Sequence, residues 1–325
     1  MNRPRPSAVL RFAFVLWGLL TLLIWLSHYH PIAGDSIREW RNTVQSSSGF
    51  STIKLMGNWT HFLVAVISLF GLLAVTRHAG LPICRWCSTS GAVHELAPVA
   101  WILGSGLLGS AMFGVGLVGL LFPPPRGIAI SLLVVAGIAW GFPRLRSVQA
   151  RHHSFRIEWH ATACCLLVGT TSLFLVIAPE ITGDALAYHL RLPTYYQYAH
   201  KFYLVSHQFC AGYPSHIEML FMIGQMITGD TLAKLINLGM ACGLVMLTSM
   251  VGRELSAPPR LTSLLMISTP LVAFSATRAY IDIGVALYST LMCYGLLRYL
   301  DTRSWHWLFI SGLALGWSLS SKYTA

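Results

Sequence analysis

Two carboxylates and one ammonium group are the side chains in this sequence best suited to chemistry: Asp184, Asp282 and Lys322. They are far apart along the chain, and each sits where a long apolar run begins or ends. A carboxylate can take a proton from an acceptor hydroxyl. A cation can stabilise charge that develops on a phosphate leaving group. Asp184 lies in a polar island, residues 180–213, reading EITGDALAYHLRLPTYYQYAHKFYLVSHQFCAGY. The island gathers acids, histidines and tyrosines in a chain otherwise built from Leu, Val, Ile, Gly and Ala. A membrane protein that concentrates its ionisable groups at one place usually does its work there.

Around these three stand other candidates. His189 and Arg191 follow Asp184 closely, and Arg278 precedes Asp282. All three are candidates for contact with an anionic substrate. Glu218, in an otherwise apolar segment, has His216 and Arg191 as candidate partners, or serves as a structural hydrogen-bonding group. Tyr188, Tyr195, Tyr196, Tyr198 and Tyr203 suit a helix that contacts sugar and phosphate, and equally a juxtamembrane helix with an aromatic belt. Each charged residue also has a plain reading as a helix-end group satisfied by solvent or by snorkelling. Cys84 and Cys87 form a lone C-x-x-C, expected in a short loop. A zinc site there would need two more ligands, and His78 and His94 are the nearby choices. Cys164, Cys165, Cys242 and Cys293 fall in apolar runs, where a thiol behaves as a small apolar group. Cys210 is the only cysteine of the island, so no disulfide framework is implied. No cluster of ligands demands a metal, although a divalent cation is compatible with the chemistry.

The elements that must position these groups are transmembrane helices. Of the 325 residues, 55% are hydrophobic and 10% charged, against about 25% charged in a soluble domain. Mean hydropathy is +0.62. Continuous apolar runs approach the roughly 20 residues that a bilayer crossing needs. Such runs do not alternate, which excludes a β-barrel. The fold class is therefore an all-α, polytopic transmembrane protein with about nine spans and an interfacial helix. The net charge of +11 reflects the bias that places Lys and Arg in cytoplasmic loops. No recognition motif points to nucleic acid.

That bias orients the chain. A first span over Val9–Leu26 follows Arg3 and Arg5, and no small-residue cleavage site succeeds it, so it is retained rather than a signal peptide. Spans over Trp59–Val75, Ala97–Phe122 and Gly127–Trp140 lead to an arginine-rich cytoplasmic loop, Arg144–Arg156. The third is rich in Gly and Ser, which lets helices approach closely. This loop suggests a division into an N-terminal four-helix unit, 1–157, and a C-terminal module, 158–325. A fifth span, His160–Ala178, delivers the island to the extracytoplasmic side. Pro214–Thr228 is short for a crossing and is expected to be interfacial or re-entrant. Spans over Leu232–Val251, Leu261–Thr277, Ile283–Leu297 and Trp307–Ala325 then put Arg253, Arg260, Arg298 and Arg303 inside. The same register puts Asp184, Asp282 and Lys322 at one outer face. The chain stops in mid-pattern at Ala325, which suggests a fragment of something longer.

The segments GDALAYHLRLPTYY, YPSHIEMLF, TRAYIDIGVALYSTLMCYGLLRYL and SGLALGWSLSSKYTA together resemble the GT-C superfamily of membrane glycosyltransferases. The nearest likeness is to bacterial relatives of protein O-mannosyltransferases and lipid A aminoarabinose transferases. The resemblance spans about Pro179–Ala325. It implies a polyprenyl-phosphate sugar donor, a lipid, glycan or protein acceptor, transfer outside the cytoplasm and inversion at the anomeric carbon. It also implies an acid in the first external loop acting on the acceptor, a position that Asp184 matches. Asp282 matches the outer acid at the head of a later helix, and Lys322 a base that contacts the donor phosphate. Some members use a divalent metal. Two features depart from the pattern: Asp184 is followed by Ala185 rather than a second acid, and four spans precede the module. The setting implied is a bacterial inner membrane. The alternatives are a multi-pass transporter or lipid flippase, and a non-catalytic assembly subunit. A transporter would favour mid-membrane charges and internal repeats, and neither is evident.

Overall fold

The computed structural model describes residues 52–87, 96–121, 124–141, 169–206, 208 and 210–324, with the side chains of 52–59, 124–126 and 139–141 left aside. The first expected span, His94, Cys164, Cys165 and the loop Arg144–Arg156, with its proposed domain boundary, lie outside these residues.

The first described helix, α1 (Thr52–Cys87), runs on past Val75. The expected loop around Arg77, His78 and Arg85 is therefore helix, and Cys84 and Cys87 lie one turn apart in its last turns, both buried. Helix α2 (Ala97–Leu117) packs antiparallel against it. A Cβ at Gly104 would stand 1.8 Å from the Thr76 carbonyl oxygen, and one at Gly80 equally close to that of Ala100. The glycines thus do what the small-residue pattern predicts: they bring two backbones into contact. Helix α3 (Pro124–Gly141) packs on both.

The C-terminal part contains α4 (Arg191–Ala199), α5 (His216–Thr228), α6 (Asp230–Glu254), α7 (Pro259–Ser268), α8 (Pro270–Ala276), α9 (Asp282–Thr302) and α10 (Trp305–Leu319). The span expected over Leu261–Thr277 is broken into α7 and α8. Pro270 lacks an N–H and pushes the residue before it towards extended backbone, and Thr269 has φ −74° and ψ 114°. Helices α9 and α10 form an antiparallel hairpin about Arg303, joined by bonds from Ser311 to the Met292 carbonyl and between Ser289 and Ser318.

Four described helices are long and apolar enough to cross a bilayer: Thr60–Cys87, Ala97–Leu117, Asp230–Glu254 and Asp282–Thr302. No strand occurs among the described residues. The protein is an all-α, polytopic integral membrane protein.

The bundle has two chemically distinct ends. At one, Trp86 packs on Trp305 and His306, Cys87 lies against the His306 carbonyl, and Arg298 pairs with Glu254. At the other stand the island and the starts of α6 and α9. Both ends of α5 belong to this second end. The His216 N–H donates to the Ser320 carbonyl, and the Thr228 carbonyl accepts from His61 in the N-terminal half of α1. Helix α5 therefore returns to the face it leaves. Residues 216–224 are all buried against the bundle, while Ile227 near the C-terminal end of α5 is exposed. Gly229, at φ 73°, makes the turn into α6 without the strain a side chain would bring.

Candidate active site

Three segments converge at the island end. The first is a single π-helical turn, Ala185–His189, entered through Asp184. Its wide ring is closed by the Leu190 N–H on the Ala185 carbonyl, 2.9 Å away. Pro193 cannot donate to the carbonyl of His189 one turn back, so the regular ladder is interrupted where this turn meets α4. Such π turns recur at functional sites. Asp184 stands exposed at its entry.

The second segment is the turn before α9. Asp282 is the first residue of that helix, where the positive end of the helix dipole favours a carboxylate. The third is the end of α10, where tight bonds to the Gly316 and Ser318 carbonyls stop the helix and present Lys322. The Lys322 ammonium donates to Asp282 Oδ1 at 2.7 Å, and both side chains are about half exposed, 44% and 54%. Tyr188, on the π turn, links this pair to Asp184. Burial, then the charges of Asp184, Cys210, Glu218 and Asp282, push its phenol up to about 12. Both acids thus lie within electrostatic reach of one phenol. The three residues singled out by type and spacing are gathered at one end of the bundle.

Beneath them lies a buried pair. His189 Nδ1 donates to Glu218 Oε1 at 2.8 Å, with both side chains almost fully enclosed. The His189 ring also packs at a tilt against Tyr188 and meets the edge of Tyr280. This corrects the expected partners of Glu218. Arg191 points outward and donates to Tyr195 within α4, over whose ring its guanidinium lies. His216 packs between Trp317 and Tyr288, its Nε2 buried without a partner. Glu218 Oε2 is likewise buried without one.

Arg278 is drawn elsewhere. Its guanidinium lies 3.8 Å from Glu180 Oε1 and over the Phe274 ring. Glu180 also accepts from the Ile181, Thr182 and Ala279 N–H groups and from the Thr182 hydroxyl. Burial alone would raise its carboxyl; the bonds from Thr182 and Ala279, with the charge of Lys234, hold it below the usual range. Lys234 is fully buried and donates to the Ala178 carbonyl. Asn237, three residues on and so on the same face of α6, donates to the carbonyls of Ser275 and Arg278 at 2.7 Å each. Glu180, Lys234 and Asn237 thus tie the island and α6 to the turn that carries Asp282. Sequence reasoning passed over them, although a lysine and an amide one turn apart in an apolar run were a visible signal. Among the described residues, no three His, Cys, Asp or Glu side chains come together as a metal-ligand set.

Residues 214–325 match the family model described as dolichyl-phosphate-mannose-protein mannosyltransferase. The match supports the GT-C membrane glycosyltransferase resemblance. It includes Glu218, Arg278, Asp282 and Lys322, and stops short of Asp184, His189 and Arg191. No curated protein and no solved structure matches the chain.

Proposed function

We propose that this chain carries a GT-C glycosyltransferase site that moves a sugar from a polyprenyl-phosphate donor to an acceptor hydroxyl at the extracytoplasmic face of a bacterial inner membrane. The acceptor is a lipid, a glycan or a protein. The reading combines the family match with one geometric observation, the 2.7 Å contact of Lys322 with Asp282 beside the island that holds Asp184.

In this reading, the acceptor oxygen attacks the anomeric carbon and its proton passes to Asp184, the general base. The bond from that carbon to the phosphate oxygen breaks on the opposite side, and configuration inverts. Polyprenyl phosphate leaves with the bonding electrons, and Lys322 meets the charge it gains. An ammonium carries three donors, and the contact with Asp282 uses one. Asp282 holds the ammonium in place. Arg278, committed to Glu180, adds positive field from behind rather than direct contact. His189 and Glu218 support the π turn from below, and Arg191 borders the site from α4. No step is assigned to a metal ion.

Asp184→Asn tests the assignment. Transfer from a polyprenyl-phosphate sugar by the reconstituted full-length protein should be lost, with membrane insertion unchanged. Transfer at the wild-type rate removes Asp184 from the role of base. The side of the membrane is tested by cysteines placed at Gly183 and Thr324 and, at the opposite end, Ser256 and Asp301. In a background free of the seven native cysteines, the first two should react with an impermeant reagent added outside and the last two should not.

A further inference from the structure

Three exposed or half-exposed tyrosine rings join the separate segments of the site. Tyr188 of the π turn meets Tyr213 edge to face, centroids 6.4 Å apart with planes at 82°. Tyr213 in turn meets Tyr323 at 6.0 Å and 77°. The Tyr323 hydroxyl donates to the Gly212 carbonyl at 2.7 Å, which fixes the outermost ring to the island. Tyr213 is 44% exposed and Tyr323 67%. Tyr323 directly follows Lys322, and the phenol of Tyr188 feels both Asp184 and Asp282. Apolar ring faces therefore border the cation and the two acids.

We infer that Tyr213 and Tyr323, backed by Tyr188, form the subsite that receives the pyranose ring of the donor. This rests on the proposed transferase reading and deepens it. A pyranose has two kinds of surface. One face presents a patch of C–H bonds, which packs on the electron-rich face of an aromatic ring. The rim carries hydroxyls, which donate to carboxylates. Tyrosine faces beside two carboxylates match both surfaces. The location decides between donor and acceptor sugar: the donor's anomeric carbon is bonded to the phosphate, so a phosphate on Lys322 puts the sugar against the adjoining residues. Perpendicular packing of the rings holds their faces at fixed angles, so the subsite selects on ring shape and on which carbons carry axial hydroxyls. An aromatic belt at the membrane boundary would need none of this. It would take any amphipathic ring, and it would not respond to the sugar.

The experiment compares two probes on the full-length protein in detergent: polyprenyl-phosphate hexose and bare polyprenyl phosphate. Wild type should bind the sugar-bearing lipid more tightly. Tyr213→Leu and Tyr323→Leu should each weaken the hexose form about tenfold, equivalent to about 1.4 kcal/mol, and leave the bare phosphate within about twofold. Tyr323→Phe keeps the ring and should retain most of the preference for sugar. Unchanged binding of the bare phosphate also shows that the variants fold. Equal losses on both probes, or no loss on either, overturn the subsite. If wild type binds neither lipid, the transferase reading fails and the subsite with it. If wild type binds both equally, only the subsite fails.

Discussion

Lys322 and Asp282 are forty residues apart in sequence and touch at 2.7 Å, one at the end of α10 and the other at the start of α9. The hairpin explains the contact: α9 and α10 run antiparallel, so the first residue of one meets the residues just past the end of the other. The pair is also half exposed. An exposed ion pair contributes only about 0–1 kcal/mol to stability. The pair therefore does little for the fold.

Lys322→Gln should therefore leave thermal unfolding in detergent within a few degrees of wild type, which corresponds to a loss of about 1 kcal/mol or less. Transfer should fall by about a hundredfold or more, the usual effect of removing a group that meets developing charge. Lys322→Arg keeps a cation and should recover part of the rate. A large drop in unfolding temperature with the rate unchanged would make the pair a structural strut instead.

The buried pair below behaves in the opposite way. With Glu218→Leu, the His189 imidazole is left enclosed without its acceptor, at a cost of about 1–3 kcal/mol. His189→Leu leaves the Glu218 carboxyl equally stranded, and both of its oxygens then lack partners. The double variant removes both groups and should be more stable than the sum of the single losses implies. Unfolding measured for the four proteins of this cycle gives the coupling. Strict additivity would mean that the 2.8 Å contact contributes nothing.

Glycines in α2 offer a steric prediction with an internal control. Gly104→Ala puts its new carbon 1.8 Å from the Thr76 carbonyl oxygen, which belongs to backbone and cannot swing away. The two helices must separate, at about 1–3 kcal/mol or more. Gly114 lies in the same helix and a Cβ there would meet nothing within 4 Å. Gly114→Ala should be neutral, or stabilising by up to about 1 kcal/mol through helix propensity. Detergent unfolding of the two variants reads the difference directly.

These contacts also show what the sequence could convey. The expected meeting of Asp184, Asp282 and Lys322 rested on crossing directions read from where Lys and Arg accumulate, and Lys322 does touch Asp282. The close approach of α1 and α2 was legible in the spacing of small residues, because only glycine permits it. The break at Thr269–Pro270 was equally visible in principle, since proline carries its own geometry. The partner of Glu218 was not legible. A π turn inserts a residue relative to an α-helix and so changes which side chain faces inward, and α-helical spacing points to no such shift. The tie between Lys234 and the Ala178 carbonyl joins residues 56 apart, and nothing local to either announces the other. Patterns along the chain convey phase and direction; pairings across it depend on packing.

His216 gives the last prediction, and it concerns acid. Its ring is enclosed by Trp317, Tyr288 and the start of α5, and burial pulls its pKa from 6.5 down to about 4. The folded protein therefore keeps this imidazole neutral at pH values where the unfolded chain would protonate it. Between about pH 6.5 and 4 the unfolded state binds the extra proton, so stability falls as pH falls through that window and is fully present above it. A shift of this size corresponds to about 3 kcal/mol across the window. Glu180, held low by its bonds, adds a further loss below its own ordinary range. Replacing His216 by Leu keeps a similar volume and removes the titrating group. Midpoints of thermal unfolding taken from pH 7.5 to 4.5 should drop more steeply for wild type than for His216→Leu. Parallel curves would show that the acid sensitivity of this fold arises elsewhere.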